Sequence, residues 1–287
     1  MLAVLRHELR QHFNSLTAYV FGAFLLFFIG LYTMVYNLKS AIANFEYVLA
    51  SVCLVFIILI PLLTMRTIAE EKRQKTDQLL YSLPLSMTQI IVGKYLALLV
   101  VFALPMLIVC LYPLMLHQFG DVYLPISYGT IVAFFFLGAA LIAIGMFVSS
   151  LTETQAMAAG ICFVVMIMNY YIVSLTDYAS STELGSFIFT IVMVLMLCLL
   201  IRALTKSYFA AGVFGMVVML GLMLFFMFSS ESFAGFLPDL MEKISLFERF
   251  YVFVNGVFDL NNIVYYLSVI VFFLFLCVQS MEKRRYS

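Results

Sequence analysis

The residues best suited to chemistry form one charged stretch in an otherwise apolar chain. Residues 62–96 hold five of the fifteen Lys and Arg residues, with acidic side chains among them. No Gly or Pro interrupts residues 67–82, and most of these residues favour helix, so the stretch predicts a short helix presented outside the membrane. A solvated loop between two spans is the alternative, and the spacing favours neither. The candidate contact residues are Glu70, Glu71, Lys72, Arg73, Asp77, Leu79, Leu80 and Leu83.

These residue types suit binding to a partner protein. The three leucines supply an apolar anchor, and the charged residues form a ring that fixes register, as at the centre and rim of an interface. Glu71 and Lys75 are spaced for a favourable i,i+4 pair. Pro84 ends the stretch, and Ser86 with Gln89 forms a capping box that opens the next apolar helix.

Enzymatic chemistry finds little support in the sequence. Glu70 and Glu71, with a basic residue at 75, faintly resemble the E-E-x-x-x-R motif of intramembrane prenyl-protein proteases, but Lys75 replaces the arginine and partner histidines are missing. Gly93 and Lys94 lack the upstream glycine of a phosphate-binding P-loop. We therefore expect no catalytic, metal or cofactor site in this chain, and no nucleic-acid partner.

Composition sets the fold class that must position this stretch. The chain is 65% hydrophobic and 10% charged, with a mean hydropathy of +1.13, whereas soluble domains carry about 25% charged residues. We predict an all-α polytopic membrane protein, with residues 1–287 as a single transmembrane domain and Pro105 and Pro113 kinking the third span. A span needs about 20 apolar residues. Eight segments meet or approach this length: 17–36, 46–65, 89–116, 126–150, 156–175, 186–204, 210–228 and 261–280.

The distribution of charge predicts the orientation. Placing the N-terminus inside puts twelve Lys and Arg residues in the cytoplasm and three outside, so both termini are predicted to be cytoplasmic. Residues 1–16 predict an interfacial helix, with His7 and His12 solvated or facing headgroups. Residues 229–260 predict short helices in the outer interface; a loop folded over the bundle is the alternative. No charge is expected well inside a span.

Several segments together resemble the permease subunits of type-2 ABC transporters, nearest to the groups named for gliding motility and nitrous-oxide-reductase maturation. Residues 5–21 are similar to the family's basic elbow helix, and residues 66–88 to its cytoplasmic coupling loop. Lys75 departs from the family, which commonly has Gly there, and the hairpin 186–228 exceeds the common six-span plan. The matching segments are 5–21, 64–66, 69–73, 76–80, 93–94, 149–153, 245–268 and 282–285.

The resemblance implies a multi-pass half-transporter in a bacterial cytoplasmic membrane. It would pair with itself or a sister permease and dock two separate ATPase subunits, which bind ATP and Mg²⁺. ATP-driven movement of the loops would then switch the permeases between inward- and outward-open states, mostly for export. A self-sufficient secondary transporter or channel is the alternative, which predicts charges inside the membrane or broken helices. A non-transporting scaffold is a third.

Overall fold

The chain is helical wherever regular structure is described. The computed structural model describes residues 2–76, 86–172 and 236–285, with residue 174 and isolated helical positions between 187 and 223. Within this part of the chain no strand occurs. Two compact units are present, Met1–Tyr170 with Leu246–Ser287, and Tyr171–Ser245. The single domain over 1–287 stays a prediction.

The larger unit begins with a short helix, two long apolar helices and a helix of six residues. The loop between the two long helices is short and the helices pack against each other, so they run antiparallel. The first of them continues into a π-helical turn, Met34–Lys39. These helices are α1 (Leu2–Asn14), α2 (Leu16–Thr33), α3 (Glu46–Thr64) and α4 (Ala69–Gln74).

The third long apolar segment is interrupted where its prolines predict a kink. Helix α5 (Met87–Val109) ends one residue before α6 (Leu111–His117), and the break at Cys110 lies between Pro105 and Pro113. Each proline lacks the N–H that would continue the helical ladder. At its start, α5 is capped as the sequence predicts, because the Ser86 hydroxyl accepts a hydrogen bond from the Gln89 N–H at 3.3 Å.

The remaining helices complete both units. Helix α7 is the most buried long helix and packs against α3, α5, α10 and α11. Helix α9 belongs to the smaller unit, where Met241 is buried and Glu242 and Lys243 are exposed. The bounds are α7 (Leu124–Leu151), α8 (Gln155–Tyr171), α9 (Phe236–Ile244), α10 (Leu246–Val254) and α11 (Leu260–Arg285).

Small residues let α7 lie close to its neighbours. A Cβ added at Gly138 would lie 2.5 Å from the Phe102 ring of α5, and one added at Gly145 would overlap the Thr64 side chain of α3. The Phe102 ring stacks on Phe135 at 5.4 Å between centroids. At Gly160 of α8, an added Cβ would meet no atom of the described residues within 4 Å.

Five described helices are long and apolar enough to cross a membrane. They correspond to predicted spans one to four and eight, while α8, at the fifth, is apolar but shorter. The predicted spans 186–204 and 210–228 lie outside the described residues except at isolated positions, so the count of eight stays a prediction. The five are Leu16–Lys39, Glu46–Gln74, Met87–His117, Leu124–Leu151 and Leu260–Arg284.

The described part of the predicted outer segment is helical, and its aromatic side chains are buried in the bundle. Helix α10 packs against α7 and α3, and Phe247, Phe250 and Phe253 are fully buried; the placement of the segment at the outer interface stays a prediction. Polar contacts fix the first residue of α10: the Leu246 N–H donates to the Asn169 amide oxygen of α8 at 3.2 Å, and the Leu246 carbonyl accepts from the Tyr266 hydroxyl at 2.9 Å. An amphipathic stripe can face either a lipid surface or a protein core. The aromatic side chains of α10 pack in the protein core. Residues 229–235 lie outside the described part.

Candidate functional site

Helix α4, within the predicted coupling loop, begins with a cap supplied by another helix. The Ser149 hydroxyl oxygen, at the end of α7, accepts from the N–H groups of Ile68 at 3.3 Å and Ala69 at 3.1 Å. The same hydroxyl lies 3.4 Å from the Met65 carbonyl oxygen. The first N–H groups of a helix have no partner within it. Ser149 therefore caps the N-terminus of α4, although it lies more than 70 residues away in the chain.

The end of α4 comes earlier than the sequence predicts. Lys75 adopts a left-handed conformation, with φ of 57°, directly after Gln74. The Lys75 N–H donates to the Lys72 carbonyl at 3.2 Å and the Thr76 N–H to the Glu71 carbonyl at 3.0 Å, which is the Schellman pattern. The predicted helix over 67–82 therefore ends at Gln74, and Lys75 shares no helical face with Glu71.

A buried lysine joins three separate helices beside α4. The Lys94 Nζ of α5 lies 2.6 Å from Glu8 Oε1 of α1 and 2.5 Å from Glu71 Oε1 of α4. It also lies 3.5 Å from the Thr67 carbonyl oxygen. The Lys94 side chain is 2% exposed, so its charge depends on these carboxylates for the stabilisation that water would otherwise provide. Lys94 lies seven residues after α5 begins, near the end of the helix that the charge bias predicts to be cytoplasmic, so the expectation of no charge well inside a span stays a prediction.

Helix α1 docks on the bundle through polar residues. Val4, Glu8 and His12 are buried at successive turns, while Arg6 and His7 are exposed. The prediction that His12 is solvated is therefore wrong. Burial lowers the pKa of His12, an effect that the Glu8 carboxylate opposes and the Lys94 ammonium reinforces. The face that α1 turns to the protein thus includes charged and polar residues beside its apolar ones.

A second set of contacts ties α4 to α7 and α11. The Lys72 ammonium, which is buried, donates to the Ser150 carbonyl oxygen. That carbonyl also accepts from the Ser280 hydroxyl of α11 at 3.2 Å. Further along, Arg284 pairs with Glu153 at 3.0 Å. We call the set Glu8, Glu71, Lys72, Lys94, Ser149 and Ser150 the polar layer; all are buried except Glu71, which is partly buried.

The predicted contact residues divide between two faces of α4. Glu71 and Lys72 lie in the polar layer, whereas Arg73 is exposed and pairs with Glu70 at 3.3 Å. Gln74 also donates to Glu70, at 2.8 Å, on the same outer face. The outer face is the part of α4 that a partner can reach, and partner binding stays a prediction. Outside the described residues lie Asp77, Leu79, Leu80 and Leu83.

Sequence reasoning missed four members of the polar layer. Glu8 and Lys94 were counted only as terminal or cytoplasmic charges, and Ser149 and Ser150 only as part of a short turn. One signal was present: a lysine seven residues inside an apolar span requires a partner. The identity of those partners could not be read, because Glu8 and Glu71 lie far from Lys94 in the chain.

The other end of the bundle holds a second buried carboxylate and a small cavity. Glu46, at the start of α3, accepts from the Ser127 hydroxyl of α7 at 2.7 Å. A cavity of about 220 Å³ lies between the start of α7, the segment that contains Ser127, and the end of α10. Its lining is mostly apolar: Tyr123, Pro125, Ile126, Gly129, Phe253, Gly256, Val257 and Phe258.

Comparison with known proteins places the chain in a family. The model of the family described as ABC-2 family transporter protein matches residues 8–182, more than half of the chain. That region contains Glu8, α4 and every residue of the polar layer. No curated protein and no solved structure matches the chain.

Proposed function

Because the chain belongs to the ABC-2 family of transporter proteins, we propose that it is the permease subunit of an ATP-driven exporter, with ATP and Mg²⁺ bound by separate ATPase subunits. The observation that carries the proposal is the family match, which spans α4 and the polar layer. The proposal also includes pairing with a second permease copy or a sister permease, and placement in a bacterial cytoplasmic membrane.

The geometry of α4 suits the transmission of force from a partner. Its outer face carries Glu70, Arg73 and Gln74, and its inner face is held by Ser149 and Lys72 against α7. An ATPase that binds the outer face of α4 and moves would therefore displace the end of α7, which is central in the described bundle. Such movement would switch the paired permeases between inward- and outward-open states.

The test uses a charge swap on the outer face of α4. Glu70→Arg with Arg73→Glu keeps the intramolecular pair but reverses the charge pattern that a partner meets. We expect either single variant and the swap to reduce co-purification with the cognate ATPase, most strongly at low salt, because exposed charges act on association through long-range attraction. Full recovery in the swap would show that the pair only stabilises α4 and would overturn docking at this face.

A matched control lies at the opposite end of the bundle. Lys39 is exposed at the end of the π-helical turn, and Lys39→Glu makes the same kind of charge reversal where the proposed topology places no ATPase. Co-purification should be unchanged. Single cysteines at Ser40 and Thr76 test that topology: an impermeant thiol reagent added to cells should label Ser40→Cys and spare Thr76→Cys.

The second candidate, an ion-driven transporter, is favoured by one observation. Lys94 and Glu46 are charges buried in apolar helices, which such transporters use along ion paths. The Lys94 charge, however, is fully matched by Glu8 and Glu71 near one end of its helix. Transport that persists in ATP-depleted vesicles and collapses with an uncoupler would favour this candidate; dependence on ATP and on the ATPase partner would favour the permease.

A further inference from the structure

We propose that Lys94 is a positioning residue that makes α1 and α5 follow α4, so that force applied to the coupling loop reaches the elbow helix. The inference rests on the proposed function for the source of the force. The link itself is a property of this chain. Packing pairs α4 with α7 and α1 with α5, and these two pairs meet where α5 packs against α7. The Lys94 ammonium adds a direct link from α4 to α1 and α5, through Glu71 and Glu8.

The contacts of Lys94 reach both pairs at hydrogen-bond distance. Its Nζ lies 2.6 Å from Glu8 on α1 and 2.5 Å from Glu71 on α4, and 3.5 Å from the Thr67 carbonyl just before α4. Three donors of one ammonium are thus directed to two helices and the segment leading into one of them. None of these partners belongs to α5, so any displacement of α4 or α1 relative to α5 must stretch a contact to Lys94.

Burial makes the link stiff. Lys94 and Glu8 are nearly inaccessible, with side chains 2% and 6% exposed, and Glu71 is 18% exposed. Water cannot replace a lost partner at such a site without opening the packing, and a buried charge left unpaired is strongly unfavourable. The exposed pair of Glu70 and Arg73 differs in this respect, because water compensates when it breaks. Helix α4 therefore carries one carboxylate contact that resists separation, Glu71 with Lys94, and one that water can replace, Glu70 with Arg73.

The experiment measures helix-to-helix distances in the purified permease alone. Spin labels are placed on exposed positions in a variant without the native cysteines: Gln11→Cys with Gln74→Cys reports α1 to α4, and Gln74→Cys with Leu151→Cys reports α4 to α7. We expect Glu71→Gln to widen the α1–α4 distance distribution and to leave the α4–α7 distribution narrow, since Ser149 and Lys72 still hold α4 to α7. Unchanged distributions, or equal widening of both, would overturn the proposal.

Matched variants separate a link from general loosening. Glu70→Gln removes the same charge from the neighbouring residue of α4 and should leave the α1–α4 distribution unchanged. Glu8→Gln and Lys94→Met should widen the α1–α4 distance distribution as Glu71→Gln does. They provide the same test if Glu71→Gln fails to insert. In the Lys94→Met background, adding Glu71→Gln should cause no further widening, because the bridge is already absent; additive widening would contradict a shared lysine.

A second readout connects the link to transport. In complex with the ATPase, Glu71→Gln and Glu8→Gln should lower permease-stimulated ATP hydrolysis by about 2- to 30-fold, the usual range for residues that carry coupling between sites. Co-purification of the ATPase should stay normal for Glu8→Gln, which lies on a different helix from the docking face. Widened distances with normal ATP hydrolysis would overturn the transmission role while leaving the proposed function standing.

Discussion

The Ser149 hydroxyl oxygen lies 3.1 Å from the backbone nitrogen of Ala69 and accepts its hydrogen bond, so the last turn of α7 caps the first turn of α4. A helix of six residues gains little stability from its own hydrogen bonds. Its existence at this position therefore depends on residues outside it, and Ser149 is the most specific of them.

Replacing Ser149 by alanine should destabilise α4 locally. Loss of an N-cap oxygen costs about 0.5–2 kcal/mol, and amide hydrogen exchange over residues 68–74 should accelerate accordingly. Ser150→Ala is the matched control, because it retains the carbonyl oxygen that accepts from Lys72 and loses contacts of its own hydroxyl, such as the bond to the Phe147 carbonyl, that do not involve α4. Equal acceleration in both variants would show that Ser149 does not act as the cap.

Replacing Lys75 by glycine should stabilise the end of α4. A side chain in the left-handed region costs about 1 kcal/mol relative to glycine, and Lys75 has φ of 57°. Lys75→Ala removes the same charge but keeps Cβ, so it isolates the backbone effect. Exchange at the Thr76 amide should slow in the glycine variant and not in the alanine variant; the opposite order would refute the left-handed assignment.

Adding a methyl group at Gly138 should destabilise the bundle. The new Cβ would lie 2.5 Å from the Phe102 ring, and overpacking of this kind costs about 1–3 kcal/mol. Gly145→Ala, which meets Thr64, should behave similarly. Thermal unfolding in detergent measures both effects. Gly160→Ala meets no atom within 4 Å in the described part of the chain and should leave the melting temperature unchanged or slightly raised; a matching loss there would point to an effect unrelated to this packing.

Acidification should loosen α1 through His12. Burial lowers the pKa of this histidine in the folded chain, so folding favours its neutral form. Its contribution to stability is complete above the ordinary histidine pKa of about 6.5 and is lost as pH falls through the lower folded pKa. Proteolysis of α1 should therefore increase on acidification, less so in His12→Gln. His7→Gln, exposed on the same helix, should retain the full pH response; if both variants respond alike, His12 is not the titrating group.

The apolar architecture could be predicted from the sequence because long hydrophobic runs have one stable solution in a membrane. Span bounds such as 46–65 and 126–150 agree closely with α3 and α7. The Ser86 cap and the break between Pro105 and Pro113 also follow from local rules. In each case the deciding interaction lies within a few residues of the position it governs.

The polar layer could not be predicted because its partners are distant in the chain. Glu8, Glu71 and Lys94 each fit a local pattern of surface charges. Only the fold brings the Lys94 ammonium within 2.6 Å of a carboxylate oxygen of Glu8 and of Glu71. Helix α10 shows the same limit, since a stripe containing Phe247 and Phe250 fits lipid or protein equally well. The end of α4 was missed for a different reason: helix propensity gives no sign that Lys75 turns left-handed.

The packing of α11 along α7 has a consequence for biosynthesis. Helix α7 is made long before α11, yet Cys277 and Ser280 of α11 lie against the carbonyl groups of Met146 and Ser150 at the end of α7. During translation, the face of α7 that α11 will cover is exposed to lipid or to the insertion machinery until the last helix leaves the ribosome. A chain cut short before residue 260 would display that uncovered face, which gives membrane quality control a direct means to detect it.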